Sequence, residues 1–183
     1  MKAKIACAAV FAAAAVSTVA SAGSAAAAGL PSYEQWQSDV QEAVAPAVSW
    51  LTDRVAQGGS KLAIVLDIDN TSLETEYHPG QPNKPVLKVA QWADQHNMSV
   101  LFVTARTSSA SARSQLSSAG YPIDAICTRD SGEGTAEGKQ RCRASLAGQG
   151  YTITANIGNR STDLEGGDYE RGFKLPDYDG QLS

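Results

Sequence analysis

The chain has 183 residues, 43% of them hydrophobic, and its 19 acidic residues outnumber 15 basic ones for a formal charge of −4. That length suits one domain with a proper core, and the acidic balance argues against a nucleic-acid-binding surface. With two His and three Cys residues, the ligands for a zinc site are too few.

Residues 1–29 read as a signal peptide. Lys2 and Lys4 give a positive start, Ile5 to Val19 is apolar and alanine-rich, and Ala20-Ser21-Ala22 has the small-x-small form of a cleavage site. Ala25 to Gly29 offers a second site, so cleavage is expected near residue 22 or 28. The alternative is an uncleaved anchor, but the apolar stretch falls short of the roughly 20 residues that a spanning helix needs. There is no twin arginine, and Cys7 lacks a lipoprotein context. The expectation is a secreted, extracellular protein with no stable membrane anchor. Losing Lys2 and Lys4 leaves 13 basic residues against 19 acidic ones. Cys127 and Cys142 then remain, an even count that predicts a disulfide in an oxidising compartment, with two buried thiols as the alternative.

Residues 30–60 form a predicted N-terminal helical segment. Ser32 is a plausible cap, and Trp36, Val40, Val44, Val48, Leu51 and Val55 recur at helical spacing, with Pro46 expected to kink or divide the helix. Trp36 and Trp50 read as core packing. Gly58-Gly59-Ser60 ends the helix, and residues 61–183 form the predicted core domain. Leu62 to Leu66 is a short apolar run of the kind buried on both faces of a parallel sheet. Asp67 and Asp69 follow it and share a face. Two like charges there call for a bound cation or for divided labour between an ionised and a protonated carboxyl; the duller reading is two solvated acids in a loop.

Ser72 to Pro85 reads as a polar loop too short to hold an inserted domain, with His78 as a loop residue. Val86 to His96 is a predicted helix, Ser99 to Thr104 a second buried strand, Ser108 to Ser118 a helix, and Ile123 to Cys127 a third strand. The segment around Ser131 to Gly138 looks like a disordered linker. Thr135 to Ala147 is a helix, Tyr151 to Ile157 a fourth strand, and Gly172 to Leu175 a short final one. Alternating strands and helices predict an α/β fold with a parallel sheet covered on both faces. Asp67 with Asp69, Thr104, Lys139, and Asn159 with Asp163 would gather at the carboxyl edge of that sheet, where such folds bind ligands.

These signals resemble the haloacid dehalogenase superfamily of aspartate-nucleophile phosphatases, and specifically its small secreted acid phosphatases of class B or subfamily IIIB type. The first motif, D-x-D-x-T, matches Asp67 to Thr71. The second, an apolar strand ending in Thr, matches Leu101 to Thr104, followed by Arg106. The third is a helical lysine, Lys139, with Arg143 one turn on. The fourth, G-D-x-x-x-D, matches Gly158 to Asp163, with Asn159 where an acid is usual. The Gly-Asn-Arg-x-x-Asp form looks like the motif of the lipin phosphatidate phosphatases, which are magnesium enzymes.

The resemblance implies a Rossmannoid three-layer sandwich without a large cap. It also implies a Mg²⁺-dependent phosphomonoesterase working through an aspartyl-phosphate. In that scheme Asp67 is the nucleophile, Asp69 the general acid and base, and Thr104 and Lys139 hold the phosphoryl group. Mg²⁺ lies on Asp67, Asp69 and Asn159, with Asp163 behind, and Thr71, Arg106 and Arg143 are candidates to contact a small-molecule or exposed phosphomonoester. The competing expectation is a non-catalytic secreted module that binds phosphate or phospholipid, supported by Asn159.

Overall fold

A computed structural model of the chain describes residues 29–182. The predicted signal peptide and Cys7 therefore lie outside the described residues. Helix α1 (Tyr33–Ala56) leads to β1 (Leu62–Leu66), α2 (Lys84–Gln95), β2 (Ser99–Thr104), α3 (Ser109–Ser118), β3 (Ala125–Thr128), α4 (Thr135–Gly148), β4 (Thr152–Gly158), the single turn α5 (Ser161–Leu164) and β5 (Arg171–Lys174). The five strands form one parallel sheet in the order β3-β2-β1-β4-β5. This is the α/β architecture that the alternation of elements predicts.

The apolar run of β1 occupies the middle of that sheet because both of its faces find cover. Ile64 and Leu66 join Trp36, Val44, Leu51, Val86 and Phe102 beneath α1 and α2. Ala63 and Val65 join Leu101, Val103, Cys142 and Leu146 beneath α4. A strand covered on both faces needs no polar alternation, which explains the unbroken run. Trp36 is fully buried, and Trp50 donates its indole N–H to the Thr154 carbonyl at 2.9 Å.

Three local expectations are corrected. Pro46 does not divide α1, which runs unbroken through it. The ring lies on the exposed face between the buried Val44 and Ala47, where water can satisfy the carbonyl that loses its partner. The Ser131 to Gly138 segment is no disordered linker: Thr135 already begins α4, and the Glu133 carboxylate accepts from Arg141 at 2.7 and 2.9 Å and from the Asp130 N–H at 3.0 Å. The loop after β1 is not simply polar either. Leu73 bridges to Asp69 and Pro82 and is buried. Glu74, also buried, accepts from Tyr33 Oη at 2.8 Å and pairs with the half-exposed His78 at 2.8 Å, tying the loop to the start of α1.

Cys127 on β3 and Cys142 on α4 form a disulfide, with Cα atoms 5.7 Å apart and a sequence separation of 15. The bond joins an edge strand to the helix that carries Lys139. A loop of this length is worth about 3 kcal/mol in the chain-entropy picture. Replacing both cysteines by serine is expected to lower the unfolding free energy by about that amount, read from urea melts of the variant and of the oxidised wild type.

Candidate active site

Strands β1, β2 and β4 end side by side, and the residues after them line a cavity of about 370 Å³ with Asp67, Asp69, Ala105, Thr135, Lys139, Asn159, Arg160 and Thr162 in its wall. The floor is built from buried polar groups. Lys139, 3% exposed, reaches from α4 to donate to Asp67 Oδ1 at 2.9 Å and also to Asp163 Oδ1. Asp163 uses its other oxygen to accept from the Arg160 N–H at 2.8 Å. Its side chain crosses directly over Gly158, where a Cβ would sit 2.3 Å from it, so only glycine fits at that point of the motif.

Two buried carboxylates thus share one ammonium. Burial pushes the Asp67 carboxyl up, the neighbouring charge of Asp163 pushes it further, and Lys139 offsets only part of this, leaving it raised to about 7. Burial alone would lower the Lys139 ammonium, but the two carboxylates outweigh it and the net shift is upward. The lysine therefore keeps its proton while the carboxylates compete for one counter-charge.

Asp69 sits in a different environment. Arg106 grips it with both arms of the guanidinium, Nε to Oδ2 at 2.8 Å and Nη2 to Oδ1 at 2.7 Å, and Thr75 Oγ1 donates to Oδ1 at 2.9 Å. Burial works to raise this carboxyl, but Arg106 more than offsets it and the net shift is downward. The two aspartates, two residues apart, are driven in opposite directions by their surroundings.

Asn159 is completely buried apart from what the cavity reaches. Its backbone N–H donates to Thr71 Oγ1 at 3.0 Å, and its Oδ1 lies 3.2 Å from the same hydroxyl. Its Nδ2 donates to the Leu182 carbonyl at 2.7 Å, which turns the acceptor oxygen away from that segment. Thr104, buried at the end of β2, accepts from the Arg106 N–H at 3.2 Å, and the adjacent Ala105 lines the cavity.

The candidates for substrate contact are redistributed. Thr71 is buried and acts on Asn159. Arg106 is engaged by Asp69 and, through Nη1, by Gln115 at 2.8 Å. Arg143 is buried below the site and gives its guanidinium to the carbonyls of Gly167, Asp163 and Glu165, so it braces the chain around α5 instead of facing the cavity. Sequence reasoning assigned no role to Arg160, Thr162 or Thr135, which do line it. The signal for Arg160 was its place in the fourth motif, directly after Asn159; the two threonines carry none.

The family model for the acid phosphatases of subfamily IIIB in this superfamily matches residues 78–181, more than half of the chain. The chain belongs to subfamily IIIB of the haloacid dehalogenase superfamily. The matched span takes in Thr104, Lys139 and Asn159 and begins after the Asp67–Asp69 pair. The fold is similar to that of the class C acid phosphatase from Bacillus anthracis, with a TM-score of 0.64 and 17% identity over 81% of this chain and 83% of the other. A comparison with curated proteins gave no match. As a subfamily IIIB acid phosphatase, the protein is a phosphoric monoester hydrolase.

The raised Asp67 carboxyl has a consequence for stability. In its unfolded state an aspartate ionises near 3.8, so in metal-free protein the native state is favoured while Asp67 is protonated. That advantage fades as pH rises from about 4 through about 7. Asp67→Asn, which cannot ionise, is expected to match wild type near pH 4 and to exceed it by on the order of a few kcal/mol at pH 8 in EDTA. Paired melting curves across that range check it.

Proposed function

We propose that this acid phosphatase is a secreted, Mg²⁺-dependent phosphomonoesterase that works through Asp67 as nucleophile. The observation that carries the reading is the cavity floor itself: an aspartate at the tip of the central strand, held by a buried lysine, with a second aspartate two residues on in the wall of the same cavity.

Among the described residues no group of three or more His, Cys, Asp and Glu side chains forms a ready metal cage. Mg²⁺ does not require one, since it keeps several waters and binds through one or two carboxylates with other oxygen donors. The donors here fit that habit. Asp67 and Asp163 carry more negative charge than Lys139 balances, and Asn159 is oriented by Leu182 to offer its oxygen. Asp67, the Asp69 main-chain carbonyl and Asn159 would hold the ion, with Asp163 behind them engaged by Lys139. When bound, the ion supplies positive charge for the phosphate dianion and keeps the Asp67 carboxyl ionised.

In this reading a carboxylate oxygen of Asp67 attacks phosphorus, and the bond from phosphorus to the leaving oxygen breaks. The Asp69 carboxyl gives that oxygen its proton, so the alcohol leaves neutral. The aspartyl-phosphate is then attacked by water, whose proton passes to Asp69, and Asp67 is regenerated as inorganic phosphate departs. Lys139 holds Asp67 in place and offsets charge gathering on the phosphoryl oxygens, with Thr104 at the β2 end of the site. Secretion rests on the signal-like residues 1–29, and the Cys127–Cys142 bond suits an oxidising compartment. Among the described residues no helix is long and apolar enough to cross a membrane. The loop between β1 and α2 is packed against α1, so among the described residues no cap domain covers the cavity, which suits varied phosphomonoesters.

The test is phosphate release from an aryl phosphate by residues 30–183 with Mg²⁺, with EDTA, and as Asp67→Asn. Activity that falls by at least about 10³-fold in both of the latter supports the reading; a folded wild type inert from acid to neutral pH at saturating Mg²⁺ removes it. Arg106 gives a second handle. Asp69 must carry a proton to act as acid, and Arg106 holds its carboxyl down. Arg106→Gln is therefore expected to move the alkaline limb of kcat/KM to higher pH, measured as a full pH–rate profile.

A further inference from the structure

The cations around the cavity are not equivalent. Lys139 lies at the floor between two carboxylates, and Arg106 is gripped by Asp69. Arg160 alone of the three has no carboxylate partner among the described residues; its side chain makes one hydrogen bond, from Nη1 to the Gly180 carbonyl at 3.0 Å. A guanidinium has five N–H donors, so most of this one's hydrogen-bonding capacity remains for something that enters the cavity. Position separates it from the reacting phosphoryl group. Asp67, Lys139 and Asn159 are buried at the floor, whereas Arg160 is half-buried and tethered to the turn around Gly180, and the neighbouring wall residues Thr162 and Thr135 are half-buried and exposed. A phosphoryl group seated on Asp67 would leave the remainder of the ester against Arg160 and the two threonines.

We infer that Arg160 is a specificity-determining residue, and that the preferred substrates are phosphomonoesters whose leaving group carries a second anionic group, a carboxylate or another phosphate. The inference rests on the reading of the cavity as a phosphomonoester site. A planar fork that presents several donors suits either anion, and the Gly180 carbonyl fixes its orientation before the ligand arrives. The rim is partly open to water, so the effect is that of one charge-assisted contact at a screened site, about tenfold in affinity.

Binding of two non-hydrolysable analogues, benzylphosphonate and 4-carboxybenzylphosphonate, is measured by calorimetry with Mg²⁺ for wild type and Arg160→Gln. The glutamine keeps a donor for Gly180 but lacks the charge. The carboxylated compound is expected to bind wild type about tenfold tighter than the plain one, and the ratio of the two affinities is expected to fall to about one in the variant. A ratio near one in wild type, or an advantage that survives Arg160→Gln, overturns the inference. If both ligands weaken equally in the variant, Arg160 contacts the phosphoryl group instead, and the inference is again overturned. Because these ligands are not turned over, a protein that binds them with the expected ratio yet releases no phosphate would refute the catalytic reading while leaving the assignment of Arg160 intact. Failure of both ligands to bind removes both.

Discussion

One ammonium group shared by two buried carboxylates is the constraint around which the site is assembled. Asp67 comes from the tip of β1, Asp163 from the turn after β4 and Lys139 from the helix between β3 and β4, so no two of the three are neighbours in the chain. Removing a carboxylate from water without a partner costs several kcal/mol. Here the partner must reach across from α4, and this ties the helix to the ends of two strands. Arg143, one turn further along α4, makes the same connection from below by gripping the carbonyls of Asp163, Glu165 and Gly167. The backbone around α5 is thus fixed by two cations from a single helix, one acting on a side chain and one on the main chain.

Much of this was legible in the sequence because its signals were strong and local. A continuous apolar run followed by two aspartates marks a central parallel strand, and strand ends in such a sheet converge, so four separated polar signals could be brought together from the sequence. What stayed hidden was the partner of each group. Arginine near a phosphate site suggests a phosphate ligand, yet nothing in the spacing of Arg106 or Arg143 reveals that one would be held by Asp69 and the other by three carbonyls. Those are choices of side-chain direction, made by packing. The buried Leu73 and Glu74 were missed for a related reason: a stretch of Ser, Glu, Thr, Gly and Pro looks solvated by composition, but one leucine in contact with the core and one carboxylate with a tyrosine partner suffice to fold it inward. The four-residue α5 has too few positions to show any period.

Asn159 illustrates how a departure from a motif acquires a reason. As a change of charge it looks like a loss. In the fold its amide donates to the Leu182 carbonyl, a bond that a carboxylate has no proton to make, and Lys174 donates to the Asn159 carbonyl from the other side. Arg160 repeats the contact on Gly180. The segment from Asp177 to Leu182 is thereby part of the wall around the fourth motif, and the residue types at 159 and 160 answer to that segment as well as to the cavity.

The remote partners of α1 also bear on the order in which the molecule can form. Trp50 bonds to Thr154, Arg54 pairs with Glu170, and Asp39 accepts from Tyr178, contacts that span 104, 116 and 139 residues. The first helix of the domain therefore finishes packing only against its last elements, and loop closure over such distances is slow compared with local pairing. A chain emerging amino terminus first, from a ribosome or through a membrane pore, can seat α1 against β1 and α2 early, but the side of α1 that carries Asp39, Trp50 and Arg54 waits for partners more than a hundred residues away. That side of the first helix is the last to be covered, and during the interval it is the surface on which a chaperone or a misdirected neighbour would take hold.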